Sequence, residues 1–144
     1  MAVLLTYYYP HVMALAFLAC FFSTHIPAKG RFFLRALTAL VLAIILAHLN
    51  RSFDFWPAHP LFASGHMTFC LGVSLSLGML RPWTLAITLP LLIPFGVALV
   101  VLHFHNVWDV LGAVPIVLGV YGIVHGLWSV SPASPPLDRA AVSP

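Results

Sequence analysis

Five apolar stretches separated by short polar breaks leave this chain few choices of fold. They cover roughly Val3 to Ile26, Phe32 to Leu49, Ser64 to Leu80, Trp83 to Leu102 and Val107 to Trp128. A spanning helix needs about 20 mostly apolar residues, and in hydrocarbon an isolated segment satisfies its own backbone only as a helix. Composition closes off the soluble alternative. Only 6% of the 144 residues are charged and 62% are hydrophobic, whereas soluble domains carry about 25% charged residues. The predicted fold class is an all-α membrane protein, a compact bundle of about five transmembrane helices forming one domain over 1–130. Pro90 and Pro94 predict a kink in the fourth helix. The end of the chain, "SVSPASPPLDRAAVSP", predicts a disordered Pro/Ser-rich cytoplasmic tail over 131–144.

The few charges carry topological information. Six Lys/Arg stand against three acids, too scattered for the basic face that nucleic acid requires. Lys29, Arg31 and Arg35 lie around the first connection, Arg81 in the third and Arg139 in the tail. With five spans these regions share one side, and only Arg51 lies on the other. The positive-inside rule then puts the N-terminus outside and the tail in the cytoplasm. No Lys or Arg precedes Lys29, which predicts a retained first span rather than a cleaved signal. Cys20 and Cys70 fall in separate apolar runs and read as small core residues.

On the outer side this topology gathers five of the eight histidines and two of the three acids. His48, Arg51, Asp54 and His59 come from the second connection and its flank. Ser64, Gly65 and His66 head the third helix. His103, His105 and Asp109 come from the fourth connection and the start of the fifth helix. Ionisable groups at membrane depth are costly and point to function. His11, His25 and His125 lie elsewhere and read as packing or hydrogen-bonding residues within the bundle.

Two motifs organise the cluster. In "PLFASGHMTFC" a Ser-Gly-His triplet opens an apolar helix. The first N–H groups of a helix lack internal partners and carry the positive end of its dipole, which suits an anion. Glycine admits close approach of a ligand and serine caps the helix. In "HNVWD", His105 and Asp109 are spaced i, i+4 and share a helix face. A carboxylate there holds one ring nitrogen and sets the tautomer. Two histidines around an anion pocket, one of them oriented by an aspartate, suit phosphoryl transfer: one ring attacks phosphorus and the other protonates the leaving oxygen.

"FASGH" followed by "HNVWDVLGA" resembles the second and third motifs of the type 2 phosphatidic acid phosphatase superfamily, over about Arg51 to Ala113. The resemblance implies that family's helical core and a phosphohistidine mechanism without metal or cofactor. His105 would be the nucleophile, Asp109 its orienting partner and His66 the acid, with Ser64 and Gly65 holding phosphate oxygens. Arg51 and His59 would stand near the first motif's cations. The pattern departs from the family in three places. Ala63 replaces the proline of the second motif, Ala98 and Leu99 stand where the third motif has Ser-Arg, and the first motif is not intact. "LFASGHMT" and "HNVWDV" are also similar to the sphingomyelin synthase-like branch, which lacks that arginine pattern and acts on phosphodiesters.

Three functions remain open at this point. The first is a phosphoester hydrolase or phosphotransferase acting on a lipid phosphate at the outer leaflet, in a bacterial inner membrane with the site facing the periplasm or exterior. Its partners would be the lipid phosphate, membrane lipids and further membrane subunits. The second is a catalytically impaired relative serving as a binding or assembly subunit of a membrane complex. The third is a metal or haem site built on the histidine cluster, with His103 and His105 as ligands.

Overall fold

The computed structural model describes residues 2–25, 28–53 and 63–129. The expected 131–144 tail, Asp54 and His59 lie outside them. Among the described residues the chain forms five α-helices and no strand: α1 (Ala2–Ser23), α2 (Lys29–Phe53), α3 (Gly65–Leu80), α4 (Leu85–Val101) and α5 (Val107–Ser129). A single 3-10 turn, Pro82–Thr84, leads into α4. The stretches Val3–Ser23, Lys29–Leu49, Pro82–Val101 and Val107–Leu127 are long and apolar enough to cross a membrane. The protein is an all-α bundle of the integral-membrane type. Its outer surface agrees, with Leu15, Phe22, Ile93, Ile123 and Leu127 exposed as lipid-facing side chains are.

The central helix is the short one. At 1.5 Å per residue α3 is about 24 Å long, against about 33 Å, 38 Å and 35 Å for α1, α2 and α5. It touches all four of the others and is buried on most sides, through Met67, Thr68, Cys70, Leu71, Gly72, Val73, Ser74, Ser76, Leu77 and Gly78. Small residues make that position possible, because membrane helices associate through close backbone approach rather than a hydrophobic drive. The α2 side answers with a stripe of buried alanines, Ala36, Ala39, Ala43 and Ala47, at the 3–4 spacing of one helix face. From α5 the buried face is Val110, Ala113, Val117, Val120, Tyr121 and Val124.

A polar knot pins α5 to α3 at mid-height. The Tyr121 hydroxyl donates to Gly72 O at 2.7 Å and lies 2.9 Å from Ser76 Oγ, which itself reaches Gly72 O at 3.0 Å. Hydroxyls buried in an apolar bundle are stable only when paired in this way. A Cβ on Gly72 would stand 2.8 Å from Leu40 Cδ1 and 3.2 Å from Tyr121 Oη, so glycine here is a packing requirement. His125, one turn further along α5, stacks on Tyr121 with ring centroids 6.0 Å apart.

The two ends of the bundle differ in chemistry. At one end Arg81 Nε donates to Thr24 Oγ1 at 3.2 Å and its Nη2 to Ser23 Oγ at 3.4 Å, joining the α3–α4 turn to the end of α1. Lys29 Nζ donates to Phe22 O at 3.3 Å. At the other end Ser64 N donates to Asp109 O at 2.8 Å, joining the start of α3 to the start of α5. The ends of the second and fourth connections thus meet on one side of the bundle. The fourth helix runs unbroken through Pro90 and Pro94, although each proline removes one donor from its ladder.

Candidate functional site

The start of α3 is built as a capped helix end inside the bundle. Ser64 adopts an extended conformation, φ −63 and ψ 116, and its Oγ accepts from Met67 N at 3.2 Å. Its carbonyl accepts from Thr68 N at 2.8 Å. The N–H groups of Gly65 and His66 then have no partner within the helix. Ser64 is 0% exposed and is not among the residues that line the adjacent cavity. Its hydroxyl braces the helix end, whereas the sequence reading had it facing a phosphate.

The second half of the site is a turn. After α4, Leu102 N donates to Ala98 O and His103 N to Val100 O, both at 3.0 Å. His103 takes φ 57, the left-handed conformation that often ends a helix. Leu99 O then accepts from both Phe104 N and His105 N, at 3.1 Å and 3.2 Å. This bend separates the two histidines. His103 is exposed, while the His105 side chain is 22% exposed and turns toward α3. Asn106 caps α5 through a reciprocal pair: Asp109 N donates to Asn106 Oδ1 at 2.8 Å, and Asn106 N to Asp109 Oδ2 at 3.0 Å. It is a capping box with Asn and Asp in the two roles.

Asp109 therefore holds three things together. Its carbonyl accepts from Ser64 N, its Oδ2 accepts from Asn106 N, and the same Oδ2 lies 3.6 Å from His105 Nδ1. A direct hydrogen bond in this last pair, as the i, i+4 spacing predicts, would need about 2.6–3.2 Å. The observed separation is an ion-pair distance rather than a direct hydrogen bond. The reason is local: a carboxylate that closes a capping box is held to the backbone of Asn106, and His105, one residue earlier, lies beyond the helical path.

His66 and His105 converge. Their ring centroids lie 6.1 Å apart, edge to face at 62°. Both line a cavity of about 410 Å³, together with Pro10, Ile44, Ala47, His48, Ala63, Gly65 and Phe69. The cavity lies between α1, α2 and the head of α3. It is amphipathic, with imidazoles and a helix N-terminus at one end and Pro10, Ile44 and Phe69 along its walls. His66 also lines a smaller space of about 150 Å³, with Thr6, Tyr7, Leu99 and Phe104. Of the residues singled out from sequence, Gly65, His66 and His105 share the cavity, and Asp109 stands behind His105. Arg51 belongs to α2, but its side chain, like all of His59, lies outside the described residues.

Two residues of the lining belong to neither motif. Pro10 enters from α1. His48, named above in the outer-side cluster, has its ring over the start of α3, with Cε1 3.4 Å from where a Gly65 Cβ would be. The Asn106–Asp109 cap was legible as an N-cap residue followed three positions later by an acid. At the positions where the resembling motif has Ser-Arg, Ala98 and Leu99 are 5% and 1% exposed and serve as core. Among the described side chains the cavity lining contains no Lys or Arg. Among the described residues no group of three or more His, Cys, Asp or Glu is placed to hold a metal ion. In comparisons with known proteins, no family model, curated protein or solved structure matches this chain.

Proposed function

We propose that this membrane protein is a phosphoester hydrolase or phosphotransferase acting on a lipid phosphate through a histidine nucleophile. The observation that carries the proposal is the pairing of His66 and His105, rings 6.1 Å apart, on a cavity that also holds a helix N-terminus. A phosphoryl group between them would meet a nucleophile, an acid and two backbone donors. The resemblance of "FASGH" and "HNVWDV" to phosphatidic acid phosphatase-like motifs supports the same chemistry.

The geometry supports the following roles. His105 Nδ1 faces Asp109, so Nε2 is the attacking nitrogen. It forms a bond to phosphorus as the bond to the leaving oxygen breaks, and His66 supplies the proton to that oxygen. In the second half His66 takes a proton from water or an acceptor alcohol. That oxygen bonds to phosphorus and the phosphorus–nitrogen bond breaks. The charge on Asp109 stabilises the positive ring that forms transiently on His105. The described lining, without Lys or Arg, favours a phosphodiester, which carries less charge than a monoester. The apolar walls favour a lipid over a soluble ester. Positive charge at the Lys29–Arg81 end supports a site facing the periplasm or exterior of a bacterial inner membrane. The same shortage of cations supports a second reading, a phosphate-lipid binding or assembly subunit within a larger membrane complex.

The test is turnover by the purified protein on a panel of phosphomonoester and phosphodiester lipids, with phosphoenzyme trapped under alkaline quench. Phosphate release or head-group transfer is expected, with label on the protein that His105→Ala abolishes. Label persisting in His105→Ala refutes the nucleophile assignment. No turnover across the panel transfers the proposal to the binding subunit.

A further inference from the structure

The cavity holds a third imidazole. His48 sits on α2, five residues before that helix ends at Phe53, and lines the same space as His66 and His105. Its ring stands 3.4 Å from the position a Gly65 Cβ would take, beside the N-terminal end of α3. Its Nδ1 is 2.9 Å from Ile44 O. A carbonyl oxygen only accepts, so Nδ1 carries a proton, and Nε2 is the nitrogen that gains the second one. A substituent larger than glycine at position 65 would fill the gap between the ring and the helix end.

We propose that His48 is a third phosphate-contacting side chain, whose protonated ring donates Nε2–H to a phosphoryl oxygen and supplies positive charge in a cavity lined by no described Lys or Arg. This rests on the phosphoryl-transfer reading above and extends it to a residue outside both motifs. An oxyanion beside the orphan donors of Gly65 and His66 meets His48 from α2 and His105 from the α4–α5 turn. The other titratable groups facing the cavity are His66 from α3 and His105, with Asp109 of α5 behind it. Pro10 from α1 and Ile44 and Ala47 from α2 do not titrate, and Arg51, one turn further along α2, has its side chain outside the described residues. The decisive comparison is between variants at position 48.

The experiment titrates inorganic phosphate into the full chain in detergent at pH 6 and pH 8, for the wild type, His48→Ala, His48→Gln and His48→Arg. The change in charge of phosphate itself is common to all four and drops out of the comparison. Position 48 is exposed, so these variants are expected to fold. His48→Ala and His48→Gln are expected to bind about tenfold more weakly than wild type at pH 6, the scale of one charge-assisted hydrogen bond. His48→Arg is expected to exceed the wild type at pH 8, because its charge does not titrate. Wild-type affinity in His48→Ala at pH 6, or no gain in His48→Arg at pH 8, overturns the assignment while leaving the two-histidine mechanism standing. Absence of phosphate binding by the wild type at both pH values, joined with absence of lipid turnover, overturns both.

Discussion

Gly65 and Gly72 sit seven residues apart on one face of α3, and both look toward α2, yet they do opposite work. At Gly72 the missing side chain is replaced by neighbours: Leu40 from one side and the Tyr121 hydroxyl from the other. At Gly65 the nearest neighbour is a single ring atom of His48 at 3.4 Å, and the rest of the space is cavity. Bundle cores are close-packed, so a gap at one helical turn and none two turns below is informative. The lower glycine lets helices touch. The upper one keeps α2 and α3 apart by no more than an imidazole and leaves room for a ligand.

Four variants break or sharpen this comparison, beginning with the largest expected effect. His105→Ala should lower turnover by about 10³-fold, the scale of losing a group that acts in the reaction itself. Its unfolding in mixed detergent micelles should match wild type, since a partly exposed turn residue contributes little packing. A parallel loss of stability would mean that the ring is structural. Gly72→Ala comes next. A Cβ 2.8 Å from Leu40 Cδ1 and 3.2 Å from Tyr121 Oη overpacks the core and should cost about 2 kcal/mol of stability, read from the same unfolding curve. Unchanged stability would show that Leu40 gives way freely.

Gly65→Ala should behave in the reverse manner. Its Cβ meets ordinary contact distance, and alanine suits a helix better than glycine, so stability should hold or rise by about 0.5 kcal/mol. Phosphate affinity should nonetheless fall about tenfold, roughly the loss of one charge-assisted hydrogen bond, because the methyl group occupies the ligand's side of the helix end. Retained affinity would place the ligand elsewhere in the cavity. Tyr121→Phe has the smallest expected effect, about 1 kcal/mol for one buried hydrogen bond, softened because Ser76 Oγ still reaches Gly72 O. It should leave lipid turnover unchanged, and a selective loss of activity would tie the lower knot to the site.

Much of this molecule was legible in one dimension. Four helices more than 20 residues long, or close to it, follow from uninterrupted apolar runs, because hydrocarbon allows a backbone no other solution. The position of α3 was legible too, from Ser64 at its cap and the Arg81-Pro82 break after it. Helix capping is local chemistry and needs no neighbour. The same rule made the i, i+4 relation of His105 and Asp109 readable, and also misled. The i, i+4 rule holds only within a helix, and His105 precedes the Asn106 cap of α5. Its separation from Asp109 is accordingly 3.6 Å, set by a turn that begins with His103 in a left-handed conformation.

What the sequence alone determined was therefore the set of parts: an all-α membrane bundle, the start of its central helix, and the two motifs that meet on one side. Tertiary structure decided which histidines share a space. His103 and His105 are two residues apart and diverge, because a helix-ending turn reverses the chain between them. His48 and Gly65 are separated by seventeen positions and meet, because a stripe of alanines draws α2 against α3. The cavity itself, about 410 Å³ between α1, α2 and the head of α3, has no signature in any single segment. It lies where the short central helix meets the longer α1 and α2, and a void of that kind belongs to the arrangement of helices rather than to any one of them.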